Sequence, residues 1–122
     1  MTPKVTSIRP FIGSKDFDTS RRFYRDLGFE EHELGPGFSV FHFQQLSFYL
    51  QDYYAEEWVN NTMLFMEVEN VAEFWAYLQS LNLTEKYPET KLVAPRIMPW
   101  GSECFVHDPA GILWHFGVFN PE

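Results

Sequence analysis

Four histidines, one cysteine and a scatter of carboxylates are the side chains of this 122-residue chain best suited to ligating a metal, attacking an electrophile or moving a proton. The histidines are His32, His42, His107 and His115, and none falls in a C-x-x-C or H-E-x-x-H context, so local spacing carries no metal signature. Cys104 lies in a strand-like run three residues before His107. Strand residues three apart point to opposite faces, so the two do not form a nucleophile–base pair, and Cys104 reads as a small buried hydrophobe. The seven glycines are scattered at turns and build no phosphate cradle. Glu30-Glu31 and Glu56-Glu57 read as solvated charge, not as acid–base dyads. One metal arrangement stays open. His42 and His115 lie in different strands, strands of a curved sheet converge, and Glu67 or Glu103 would add a carboxylate. That set suits Fe(II) or a divalent Lewis acid. The alternative for each imidazole is a hydrogen-bonded, half-buried side chain, and His32 falls in the solvated run Glu30-Glu31-His32-Glu33.

Alternation along two strands is more informative. Phe38, Val40 and His42 share one face, with Ser39, Phe41 and Phe43 on the other. Leu113, His115 and Gly117 share a face opposite Trp114, Phe116 and Val118. Each strand therefore aims an imidazole among apolar groups, and a polar group in an apolar cleft orients a ligand.

Two helices must position these strands. One follows Asp16, carries Phe17, Phe23, Tyr24 and Leu27, and is closed by Gly28. The other follows Asn70 and places Val71, Phe74, Trp75, Leu78 and Leu81 along one stripe. Laying Asp16 over Asn70, an offset of 54 residues, sets Phe11 on Phe65, Ile12 on Met66, Phe23 on Tyr77 and Leu27 on Leu81. An apolar strand precedes each helix (Val5 to Ile12, Met63 to Val68). Three strand-like segments follow each: Phe29 to Leu34, Phe38 to Phe43 and Leu46 to Leu50, then Lys91 to Met98, Glu103 to His107 and Ile112 to Phe119. Asp108-Pro109-Ala110-Gly111 is a turn between the last two. The expected fold is α+β: one domain, 1–122, of tandem βαβββ modules forming a curved mixed sheet around a cleft. Module one spans 4–51, a linker 52–61, and module two 62–119. The linker's Tyr53, Tyr54 and Trp58 are too aromatic for a plain spacer.

Composition narrows the partner. The chain is 14.5 kDa, which fits one domain. Aromatics make up 19 % of it, and the net charge of −8 is spread over both halves. No basic face is available for a phosphate backbone, so nucleic acid is not expected. No apolar run approaches the ~20 residues of a membrane span, and the N-terminus lacks an apolar signal segment. A single cysteine gives no internal disulfide. The expectation is a cytoplasmic protein, and acid with aromatics suits a cationic, planar small molecule.

The pattern resembles a known family. Tandem βαβββ modules are the layout of the vicinal oxygen chelate superfamily, and within it the chain most resembles the bleomycin-resistance proteins. The resemblance rests on Ser14-Lys15-Asp16-Phe17-Asp18, Phe23-Tyr24-Arg25-Asp26-Leu27-Gly28-Phe29, Pro36-Gly37-Phe38, Asn61-Thr62, Pro99-Trp100-Gly101 and Asp108-Pro109-Ala110-Gly111 followed by His115-Phe116. It covers nearly the whole chain. The superfamily's metal-ligand positions fall on Arg9, Met63, His115 and a residue near Phe48 or Tyr49. Arg9 stays cationic and Met63 is a soft thioether, so only His115 is a fitting ligand. The resemblance therefore implies no catalytic residues, no metal and no cofactor. It implies a non-catalytic homodimer that exchanges its N-terminal strand and sequesters a bleomycin-type glycopeptide, or a similar cationic aromatic ligand, with Phe38, Phe65 and Trp100 as the aromatics; strand alternation adds Val40, His42 and His115 to the expected ligand-binding set. The runner-up is a metal-dependent glyoxalase-like lyase or isomerase, or a dioxygenase.

Overall fold

Asp16 and Asn70 start equivalent helices by the same device. In a computed structural model that describes residues 1–121, Asp16 Oδ1 accepts the Thr19 amide at 3.1 Å and Asn70 Oδ1 accepts the Glu73 amide at 2.9 Å. Each bond satisfies an amide that the first helical turn leaves without a partner. The helices are α1 (Phe17–Leu27) and α3 (Val71–Ser80). Before them run β1 (Phe11–Gly13) and β5 (Met63–Glu67). After α1 come β2 (Glu30–Gly35), β3 (Phe38–Phe43) and β4 (Leu46–Gln51). After α3 come β6 (Lys91–Met98), β7 (Gly101–His107) and β8 (Leu113–Phe119). Two short helices complete the chain, α2 (Glu56–Asn60) and α4 (Leu83–Lys86).

The βαβββ unit occurs twice, and each copy closes its own four-stranded sheet, ordered β1-β4-β3-β2 and β5-β8-β7-β6. In each, the strand before the helix runs parallel to the last strand, and the remaining neighbours are antiparallel. Both sheets put one face into a common core. Phe48 of β4, Phe29, Tyr24 of α1 and Trp114 of β8 pack ring on ring, with Tyr24–Phe48 centroids 4.9 Å apart and Phe48–Trp114 centroids 5.5 Å apart. Much of the aromatic content is thus core, as edge-to-face and tilted pairs.

A buried polar node ties the modules together inside that core. The Tyr24 hydroxyl donates to Asp108 Oδ2 at 2.5 Å and accepts from Trp114 Nε1 at 2.9 Å. Asp108 Oδ1 accepts the amides of Ala110, Gly111 and Ile112. The Asp-Pro-Ala-Gly turn is therefore also an anchor for α1. Burial pushes the Asp108 carboxyl up to about 6, against the opposing pull of those four donors. On the edge strand β2, Glu31 is buried against Arg21 and Ser39. Burial alone would raise its pKa, but the bonds from Arg21 and Ser39 hold it below the usual carboxylate range.

One expectation is corrected. A first strand over Val5 to Ile12 does not form, because the pairing with β4 stops where the Tyr49 amide donates to the Pro10 carbonyl at 2.9 Å. Pro10 has no amide to continue the ladder. Residues 1–8 are exposed, with Val5 and Ile8 at 87 % and 94 %. The linker 52–61, read as too aromatic for a plain spacer, holds a helix that the sequence reading did not place. This is α2, whose Val59 is fully buried in the core and whose Trp58 lies over Gly13. A helix of five residues is too short to show the periodicity from which helices are read.

Candidate functional site

The strand register sorts the site residues onto the faces turned away from the core. On the first sheet, Phe11 and Tyr49 are cross-strand partners, Tyr49 pairs with Val40, and Val40 with His32. Phe38 and Gln51 follow two residues along on the same face. Phe11, Phe38 and Tyr49 form one cluster, with centroids 4.8 Å (Phe11–Tyr49) and 5.3 Å (Phe38–Tyr49) apart. Arg9 reaches the same place, its Nη1 donating to the Tyr49 hydroxyl at 3.4 Å and its guanidinium lying 5.7 Å from the ring centre. Val40 is nearly buried within this face.

The second sheet repeats the arrangement. Phe65 and His115 are cross-strand partners, and His115 pairs with Phe105. Phe65 lies 6.2 Å from His115, 6.0 Å from Trp100 and 5.7 Å from Phe119, centre to centre. Trp100 is held at the mouth of β7 by the Asn120 amide, which donates to its carbonyl at 2.8 Å. His115 Nδ1 lies 3.0 Å from Oε1 of Glu103, a carboxylate that is 6 % exposed. A carboxylate can only accept, so Nδ1 carries the proton and Nε2 faces outward, 3.5 Å from Met63 Sδ. Arg96 lies 4.8 Å over the Phe105 ring beside them.

Gly117 makes this cluster possible. A Cβ at position 117 would meet the Phe65 ring at 2.7 Å and the Ser102 carbonyl at 3.2 Å. With none there, Phe65 lies down on the sheet and leaves its face open.

Internal symmetry relates the two clusters. Arg9 touches Tyr49 as Met63 touches His115, and Phe11 pairs with Tyr49 as Phe65 pairs with His115. The residue left open between Phe48 and Tyr49 is thus Tyr49, since Phe48 points into the core. Arginine, tyrosine, methionine and histidine split between two sheets are not a donor set for a hard or borderline divalent ion. These residues do not fit a catalytic divalent metal.

His42 and His115 do not converge. His42 stands beside His32, and its Nδ1 lies 2.6 Å from Ser47 Oγ, whereas His115 stands beside Glu103. Each sits on its own sheet. Glu67 is exposed and lines a different groove, with Asn70 and Glu73. Of the six ligand-binding residues expected, Phe65, Trp100 and His115 stand together, Phe38 and Val40 share the opposite module's face, and His42 lies further along that face with His32 and Ser47. Phe11, Phe119 and Phe105 belong to these clusters and were not singled out; of the carboxylates expected beside the histidines, Glu103 does meet His115 and Glu67 does not. The signal for Phe11 was present, since the offset lays it on Phe65.

Between β4 and β5 a slot of about 340 Å³ opens, lined by Pro10, Leu46, Phe48, Met63, Phe65 and Trp114 among others. β5 is an edge strand there, and Leu46–Phe48 of β4 extend beyond its pairing with β1.

No protein-family model matches the chain, and no curated protein does. Solved structures do. A bleomycin resistance determinant encoded on the transposon Tn5 aligns over 96 % of this chain and 100 % of its own, at 21 % identity and a TM-score of 0.77. A bleomycin-binding protein complexed with bleomycin aligns over 95 % of this chain and 100 % of its own, at 20 % identity and 0.79. The fold is that of the bleomycin-resistance proteins. A bleomycin-binding protein from Streptomyces verticillus, complexed with copper(II)-bleomycin, also matches at 19 % identity and 0.74, over 98 % of this chain and 100 % of that one. Among the described residues, no helix is long and apolar enough to cross a membrane.

Proposed function

We propose that this protein is a non-catalytic binder that sequesters a cationic aromatic small molecule of the bleomycin type. The observation that carries the reading is the pair of open aromatic clusters, Phe11/Phe38/Tyr49 and Phe65/Trp100/Phe119, in a chain of net charge −8. Exposed rings accept a planar group by stacking, worth about 0.5–1.5 kcal/mol per pair beyond area burial. The acidic field concentrates a cation around them. The donor chemistry at Arg9, Tyr49, Met63 and His115 argues against the metal-dependent lyase or dioxygenase. The likeness to solved bleomycin-binding proteins supports the ligand class.

The active form in this proposal is a homodimer that exchanges its N-terminal arm. Within one chain the two clusters lie on separate sheets, and a second copy would set the first sheet's cluster against the second sheet's. The exposed Val5 and Ile8, and the apolar slot between β4 and β5, suit a swapped segment.

Calorimetric titration with bleomycin tests the reading. We expect saturable binding in the micromolar range or tighter, weakened about tenfold or more by Trp100→Ala and by Phe38→Ala, each having lost a stacking partner worth roughly 1.4 kcal/mol with its buried area. No heat at high micromolar ligand overturns the bleomycin-type assignment.

A further inference from the structure

His32 and His42 lie outside both aromatic clusters, and we propose that they form a two-histidine site for a divalent transition ion. This inference does not rest on the ligand-binding reading above. In the β2–β3 ladder His32 is paired with Val40 and His42 with Glu30, so the two imidazoles are diagonal neighbours on one face of the sheet. Diagonal neighbours are within reach of each other when the side chains are long or aromatic. Here the ring centres are 5.6 Å apart and the planes are inclined at 68°. Two imidazoles that ligate one ion at about 2.0–2.1 Å each have their ring centres roughly 5–6 Å apart, so the observed spacing needs little rearrangement.

His42 is already oriented. Its Nδ1 meets Ser47 Oγ, on the facing residue of β4, at 2.6 Å. A partner on one ring nitrogen fixes the ring and leaves the other, Nε2, as the ligating atom. His32 is exposed and has no hydrogen-bond partner among the described residues, so its ring is free to turn toward a shared ion. Neutral imidazoles are borderline donors that suit Cu(II), Ni(II) and Zn(II). Among the described residues no group of three His, Cys, Asp or Glu side chains gathers at one point, so water completes the coordination sphere. The result is an open, exchangeable site, not a structural one.

Zinc alone, added to the full-length protein, is the probe. Calorimetry should show one Zn(II) per chain, and NMR of the imidazole ring signals should show His32 and His42 moving together. His32→Gln and His42→Gln should each weaken binding at least tenfold, while Ser47→Ala should weaken it a few-fold by freeing the His42 ring. His107→Gln should leave it unchanged. His32 is exposed, so its variant tests the site without disturbing the core. Absence of binding at millimolar zinc, binding that survives both histidine substitutions, or ring shifts confined to His107 or His115 would each overturn the site.

Discussion

A methyl group on residue 117 would press on the Phe65 ring at 2.7 Å and on the Ser102 carbonyl at 3.2 Å. The ring must give way, because the carbonyl is fixed in the β7–β8 ladder. Gly117→Ala is therefore expected to lift Phe65 away from Trp100, to change the emission of the tryptophans, and to weaken bleomycin binding about tenfold, the loss of one well-seated stacking contact. A denaturation midpoint close to that of the unsubstituted protein would show that the change is local. At this scale the sequence was partly legible. Phe38, Val40 and His42 were placed on one face by alternation alone, whereas Phe65 entered only through the family resemblance. The register between strands was not written in any one of them. Tyr49 is told from Phe48, and Glu103 from Glu67, only once β4 is laid on β1 and β7 on β8, and the same step separates His42 from His115.

The helices and strands were the more readable level. Both helix starts follow from one capping residue each, and β3 and β6 occupy the residues that alternation and flanking turns predicted. The elements that escaped were short ones: α2, set by tertiary packing of Trp58 and Val59, and α4. The first strand is shorter than its apolar run because a ladder needs a partner as well as a pattern. The β7–β8 turn did more than its motif announced, and it yields a pH prediction. Asp108 titrates near 3.8 in an unfolded chain and is raised to about 6 by burial. The folded state therefore binds its proton more tightly, so this group's contribution to stability is full below the unfolded value and is lost as pH rises through about 6. Asp108→Asn removes that dependence. Chemical denaturation between pH 4 and 7 should show the stability advantage of the unsubstituted protein over Asp108→Asn shrinking as pH rises. An advantage that grows with pH would contradict the assignment.

At the scale of the whole molecule, one chain presents two aromatic clusters facing away from a shared core. Exposed rings at Phe11, Phe65 and Phe119 and an apolar arm at Val5 and Ile8 are costly to leave in water, at about 25 cal/mol per Å² of apolar surface. A second copy covers them in the proposed arrangement. Sedimentation should find a dimer, and removal of residues 1–9 should convert it to a monomer that binds bleomycin weakly. A dimer that survives the truncation would place the interface elsewhere. Neither the proposed dimer nor the proposed ligand follows from composition: acid and aromatics suggest the chemistry, and only the two exposed clusters give it an address.

The central claim is that one ligand is held by both clusters at once. NMR titration of the labelled protein with bleomycin reads this directly. The account predicts that signals of Phe38 and Tyr49 on the first sheet shift in step with those of Phe65 and Trp100 on the second, along one saturation curve. Shifts confined to one sheet, two unlinked curves, or no shift at saturating ligand would contradict it.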